Sequence, residues 1–73
     1  MDMRRLVGRN VRFARTTLGL SQEQLAERSG FSQQYISSLE GGSRNPTVVT
    51  LFELAQALET SPVSLITPDD PNA

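Results

Sequence analysis

Between residues 6 and 18 the apolar side chains Val7, Val11, Ala14 and Leu18 fall at intervals of four, three and four. That spacing lines one face of a helix, with Arg9, Arg12 and Thr16 elsewhere on its circumference. Residues 1–5 are a polar start expected to fray, and Gly19 is placed to cap the helix in a left-handed conformation. Ser21 opens a second helix. It is an N-cap residue with Gln24 three positions on, the pattern of a capping box, and Leu25 and Ala26 face inward before Gly30 stops the helix. Ser32 caps a third helix, about Gln33 to Glu40, with Ile36 and Leu39 one turn apart and Gly41 and Gly42 at its end. After the loop Ser43-Arg44-Asn45-Pro46, Thr47 caps a fourth helix, about Val48 to Leu58. Its inward stripe is Val48, Leu51, Ala55 and Leu58, with Leu54 beside it. Ser61-Pro62 is an N-cap followed by proline at the first helical position, and opens a short fifth helix ending at Ile66. No strand, repeat or internal linker is evident. The expected fold is therefore all-α, five helices in a single domain over residues 1–66, followed by an unstructured tail at 67–73 that carries two prolines and two acids.

The turn between the second and third helices carries a finer pattern. Ala26 is small where two helices must approach closely. Gly30, four residues later, supplies a backbone position of positive φ, and Ile36 and Leu39 plug the third helix onto the core. A small residue, a glycine and two apolar plugs at these intervals make the helix-turn-helix arrangement. Beyond that spacing, the sequence resembles the Cro/lambda-repressor (Xre-type) helix-turn-helix family. The resemblance rests on Leu18-Gly19-Leu20-Ser21-Gln22, Leu25-Ala26, Gly30-Phe31-Ser32, Ile36-Ser37 and Leu39-Glu40-Gly41-Gly42. Arg44-Asn45-Pro46-Thr47, Leu51, Leu54-Ala55 and Leu58 extend it, so that it covers about Leu6 to Ile66. Members of that family are DNA-binding transcriptional regulators, usually homodimers on palindromic operators. The resemblance thus implies a compact lambda-repressor-like fold, double-stranded DNA as partner, a homodimer and a repressor. Two positions depart from the family pattern. Glu59-Thr60 stands where the family usually has glycine and then an apolar residue; a left-handed non-glycine cap costs about 1 kcal/mol, so the fourth helix is expected to end differently. Phe13 stands where the family usually has a polar residue.

On the third helix Ile36 and Leu39 fix the inward direction. At about 100° per residue, Gln34, Ser37, Ser38 and Gly41 point away from it, and Gln33 lies on the flank. The family places base-reading side chains at the positions of Gln33, Gln34, Ser37 and Ser38. Glutamine suits the task because its amide can pair with adenine N6 and N7 together. The plainer reading, that Gln33 and Gln34 are solvated polar residues of a first helical turn, holds for an arbitrary helix; within this motif base reading is favoured. Gln22 opens the second helix, whose N-terminus faces phosphate. The resemblance implies a phosphate contact there and a brace for the base-reading glutamine. Arg44, Asn45 and Thr47, beside the start of the fourth helix, are the other candidates for DNA-backbone contacts. The family often joins the positions of Arg15 and Glu40 in a partly buried ion pair, which would lock the third helix to the first. Tyr35 is expected at the edge of the core. Phe13, Phe52 and Ile66 exceed what the core pattern requires; they are either ordinary half-buried residues or a dimer interface through the fourth and fifth helices.

Charge and composition narrow the classes of function. The net charge is −1, but its seven basic residues are all Arg and all lie at or before Arg44, giving +3 up to that residue and −4 beyond it. The basic portion suits nucleic acid; the acidic one leaves open a module of the same fold that bridges protein partners, which the Gln-Gln surface and the retained Gln22, Arg44 and Asn45 disfavour. With no Cys and no His, disulfides, thiol and imidazole chemistry and the usual zinc ligands fall away. No catalytic residues, metal site, cofactor or small-molecule ligand is expected, and an enzyme is not. No apolar run approaches the ~18 residues of a membrane span, and the first ten residues lack a signal-peptide core, which points to a cytoplasmic protein. Within the regulator class, a phage-type repressor, a restriction-modification controller and an antitoxin all suit so short a chain.

Overall fold

In the computed structural model, which describes residues 1–68, the helices are α1 (Met3–Thr17), α2 (Gln22–Ser29), α3 (Gln33–Glu40), α4 (Val48–Ala57) and α5 (Pro62–Ile66). The part of the expected tail from residue 69 onward lies outside the described residues. The bounds of α2, α3 and α5 follow from their caps. Ser21 Oγ accepts from the Gln24 amide at 3.0 Å while Gln24 Oε1 accepts from the Ser21 amide at 2.8 Å, closing the capping box. Ser32, Thr47 and Ser61 each accept in the same way from the amide three residues on.

The start of α1 differs from the frayed segment expected over residues 1–5. Asp2 Oδ1 accepts from the Arg4 amide at 3.1 Å, so the helix begins at Met3. A carboxylate satisfies an orphan amide there and also suits the positive end of the helix dipole.

Three helices end alike, in Schellman turns. At α1 the Gly19 and Leu20 amides donate to Thr16 O and Arg15 O, both at 3.0 Å. At α3 the Gly42 and Ser43 amides donate to Leu39 O and Ser38 O at 3.0 and 3.1 Å. At α4 the Glu59 and Thr60 amides donate to Gln56 O and Ala55 O at 3.2 and 2.9 Å. The last is a correction to expectation: α4 does end in the left-handed turn, and Glu59, at φ 58°, adopts it without being glycine. Its surroundings compensate. Leu58 just before it is buried in the core, and Arg28 Nη1 reaches both Ala57 O and Glu59 Oε2 at 3.2 Å.

The core gathers Leu6, Val7 and Val11 of α1, Leu25 of α2, Ile36 and Leu39 of α3, Leu54 and Ala55 of α4 with Leu58 after it, and Leu65 of α5. Burying one such aliphatic side chain is worth roughly 1.5–3 kcal/mol, and the set contains a member from every helix. Two expected core positions are displaced. Val48 is 81% exposed, because α4 meets its neighbours through its C-terminal half and its inward face begins at Leu51. Leu18 sits past the last turn of α1 and is exposed, while Leu6 takes a place in the core.

Helix α1 crosses α3 at Gly8. A β-carbon there would stand 2.3 Å from Leu39 O and 2.8 Å from Glu40 O. The two backbones therefore touch, which seats the end of α3 directly on α1. Asn10, about half a turn on, secures the other side of α1: its Nδ2 donates to Leu65 O and Thr67 O, both at 3.0 Å, and more weakly to Ser64 O at 3.4 Å. These are carbonyls that the end of α5 would otherwise leave without partners.

Candidate nucleic-acid interface

Helix α3 is divided lengthwise. Ile36 and Leu39 are fully buried, while Gln33, Gln34 and Ser37 are exposed on the other side. Ser38 is only half-buried, and its carbonyl accepts from both the amide and the hydroxyl of Ser43, at 3.1 and 2.9 Å. It is the least open of the base-reading candidates. Their position is rigid because α3 is held at both ends. Gly30, at φ 82°, forms the turn from α2, and at the far end the ion pair of Arg15 and Glu40 ties α3 to α1.

That pair is bidentate. Arg15 Nε donates to Glu40 Oε2 at 2.6 Å and Nη2 to Oε1 at 2.9 Å, while Nη1 donates to Leu20 O at 2.8 Å. The two side chains are 11% and 5% exposed. The hydrogen bond to Glu40, with its charge, raises the Arg15 pKa above the ordinary value against the opposing effect of burial. Gln22 joins the same carboxylate, its Nε2 donating to Glu40 Oε1 at 3.2 Å. The expected brace from Gln22 to a base-reading glutamine is not formed among the described residues; the amide turns instead to a buried carboxylate, which accepts hydrogen bonds more strongly than a neutral amide.

Arg44, Asn45 and Thr47 are exposed in and after the α3–α4 loop. The Arg44 guanidinium lies 5.3 Å from the centre of the Tyr35 ring, a cation–π contact. Tyr35 in turn stacks on Phe31, with ring centres 5.0 Å apart, and both rings pack against the core. Thr47 Oγ1 is engaged in capping, through the Thr50 amide at 3.1 Å and the Thr50 hydroxyl at 3.0 Å.

The candidates for a dimer interface are spread over the surface. Phe52 is 51% exposed on α4 and Ile66 is exposed at the end of α5. Phe13, 71% exposed on α1, borders a groove between α1 and α5 together with Leu18 and Val63; neither Phe52 nor Ile66 lines that groove.

Sequence reasoning passed over three features. Asn10 lies three residues after Val7 and four before Ala14, so a polar residue on an apolar stripe was the available signal. The contact of Arg28 with Glu59 had none, since the two residues are 31 positions apart. The stack of Phe31, Tyr35 and Arg44 shows only once the loop has returned Arg44 to α3.

The sequence model of the helix-turn-helix family matches residues 11–65, most of the chain. The chain belongs to the helix-turn-helix family. It is 64% identical to an HTH-type transcriptional regulator of Sinorhizobium fredii, y4dJ, over 96% of this chain and 91% of that one. It is 49% identical to the control protein C.SmaI of Serratia marcescens, over 92% of this chain and 80% of the relative. A similar solved structure is the restriction-modification controller protein C.Esp1396I, a tetramer in complex with its natural 35-base-pair operator. It is 32% identical, with a TM-score of 0.81 over 89% of this chain and 86% of that one. The chain is thus a helix-turn-helix transcriptional regulator by family. Among its described residues no helix is long and apolar enough to cross a membrane.

Proposed function

We propose that this helix-turn-helix protein is a cytoplasmic repressor that binds a palindromic operator as a homodimer, with α3 of each subunit in the major groove. The observation that carries the reading is the lengthwise division of α3: Gln33, Gln34 and Ser37 face solvent on a helix whose opposite side is locked into the core. Side chains that read bases gain from such a platform, because the backbone that carries them does not have to be ordered on binding. Gln33, Gln34, Ser37 and Ser38 contact bases; Gln22, Arg44, Asn45 and Thr47 hold the sugar-phosphate backbone. Two subunits place their α3 helices in successive major grooves, ~34 Å apart. The exposed Phe52, Ile66 and Phe13 supply apolar surface for the dimer. The likeness to two control proteins favours a second, narrower reading within the same class, a restriction-modification controller.

The test is a band-shift with the DNA upstream of the gene itself. Gln33→Ala is expected to lower the preference for that DNA over a scrambled duplex by roughly 1–3 kcal/mol. Unchanged discrimination would remove Gln33 from the base-reading set.

A further inference from the structure

The side chain of Glu40 is 5% exposed, yet it makes more contacts than an ion pair needs. Its two oxygens receive two hydrogen bonds from Arg15 and a third from Gln22. Arg15 alone would lock α3 to α1. The third bond shares Oε1 with Arg15 and comes from the first residue of α2, at the edge of the candidate interface.

We propose that Glu40 is a positioning residue for DNA, acting through Gln22: it fixes the Gln22 amide so that an N–H, and not the carbonyl oxygen, is presented to a backbone phosphate. This rests on the reading of Gln22 as a backbone contact. A glutamine amide can be turned by a half rotation, and on an open surface both orientations are populated. A carboxylate accepts and never donates, so the amide must turn its NH₂ group toward Glu40. One N–H is spent on Glu40 Oε1 and the second remains for another acceptor. A phosphate oxygen also only accepts, so the orientation that Glu40 selects is the one a phosphate requires. The flipped amide would set oxygen against oxygen. The tether also removes rotamer freedom from a long side chain before DNA arrives. Arg15 makes this arrangement tolerable near a polyanion, because its cation offsets the carboxylate behind Gln22.

The proposal separates from a purely structural role by a double-mutant cycle read as affinity for the upstream duplex. Gln22→Ala is expected to weaken binding about tenfold or more, as for a lost hydrogen bond to a charged group. Glu40→Gln lets the Gln22 amide flip, and is expected to weaken binding roughly two- to tenfold. In the Gln22→Ala background the same Glu40→Gln change is expected to leave affinity unchanged. Equal losses in both backgrounds would overturn the proposal and leave Glu40 a structural residue, with the DNA-binding reading intact. Affinity unaltered by Gln22→Ala would remove the phosphate contact at Gln22 and this proposal with it, again leaving α3 as the reading helix. Failure of the unaltered chain to bind would overturn the DNA reading as a whole. If Glu40→Gln does not fold, relaxation of the side-chain amides in the unaltered chain decides. The Gln22 amide is expected to approach the order parameter of rigid backbone, ~0.85, with Gln33 and Gln34 below ~0.6. A Gln22 amide as mobile as those two would overturn the tether.

Discussion

Replacing Glu40 by alanine leaves the Arg15 guanidinium with only Leu20 O as a partner, in a site where 11% of its side chain meets water. Breaking a buried pair from one side costs about 3–5 kcal/mol, and the small exposed fraction places this one near the lower figure. Urea unfolding of Glu40→Ala is expected to show a loss of about 3 kcal/mol; a loss under ~1 kcal/mol would show that water satisfies Arg15 well. The raised Arg15 pKa fixes the sign of the pH dependence. A cation whose pKa rises on folding contributes fully below its unfolded pKa and loses that contribution only as pH climbs through the folded one. Through Arg15, the pair is therefore indifferent to pH across the neutral range. Glu59 offers the opposite experiment. Its left-handed conformation costs about 1 kcal/mol, whereas the ion pair with Arg28, on side chains 44% and 65% exposed, returns ~0–1 kcal/mol. Strain and pair nearly balance, so Glu59→Gly is expected to leave the melting temperature unchanged or raise it by a few degrees, up to ~4–8 °C. A fall of several degrees would mean that Arg28 holds the turn more firmly than an exposed pair should.

Among the elements, α2, α3 and α5 were legible to the residue because side-chain caps mark them, and a cap is a local signal. Three other features required tertiary information. The exposure of Val48 follows from where α4 meets its neighbours, which helical periodicity does not encode. Propensity alone sets about 1 kcal/mol against a left-handed Glu59, and the burial of Leu58 with the contacts of Arg28 overrides that preference. Gly8 is the sharpest case. In the middle of a helix glycine reads as a weakness, and alanine there would ordinarily gain ~1 kcal/mol. Here its β-carbon would stand 2.3 Å from a backbone carbonyl of α3, which cannot swing aside as a side chain can. Overpacking of this kind costs about 1–3 kcal/mol and prises α3, with Gln33 and Gln34, away from α1. Gly8→Ala is therefore expected to destabilise the fold, seen as a lower urea midpoint with an unchanged slope. A raised midpoint would show that α1 and α3 can separate without penalty.

At the scale of the whole molecule, the net charge of −1 understates how the cations are deployed. Arg15 and Arg28 are engaged by Glu40 and Glu59, so neither is available to neutralise a phosphate without breaking a contact that supports the fold. Arg44 is differently placed. It is exposed beside the start of α4, and the Tyr35 ring at 5.3 Å restrains its direction while leaving its charge intact. If Arg44 neutralises one phosphate per subunit, each bound subunit releases about one counterion on its account, and the slope of log K against log salt changes by ~0.9. Arg44→Ala is thus expected to make that slope shallower by ~0.9 per bound subunit, about 1.8 for a dimer, while weakening specific and nonspecific duplexes alike. Gln33→Ala carries no charge change and is expected to leave the slope as it was while reducing discrimination. The two variants therefore separate positioning from reading within one set of salt titrations. Slopes that coincide for Arg44→Ala and the unaltered chain would take Arg44 off the phosphates, and would pass the electrostatic role to the arginines of α1, at Arg5, Arg9 and Arg12.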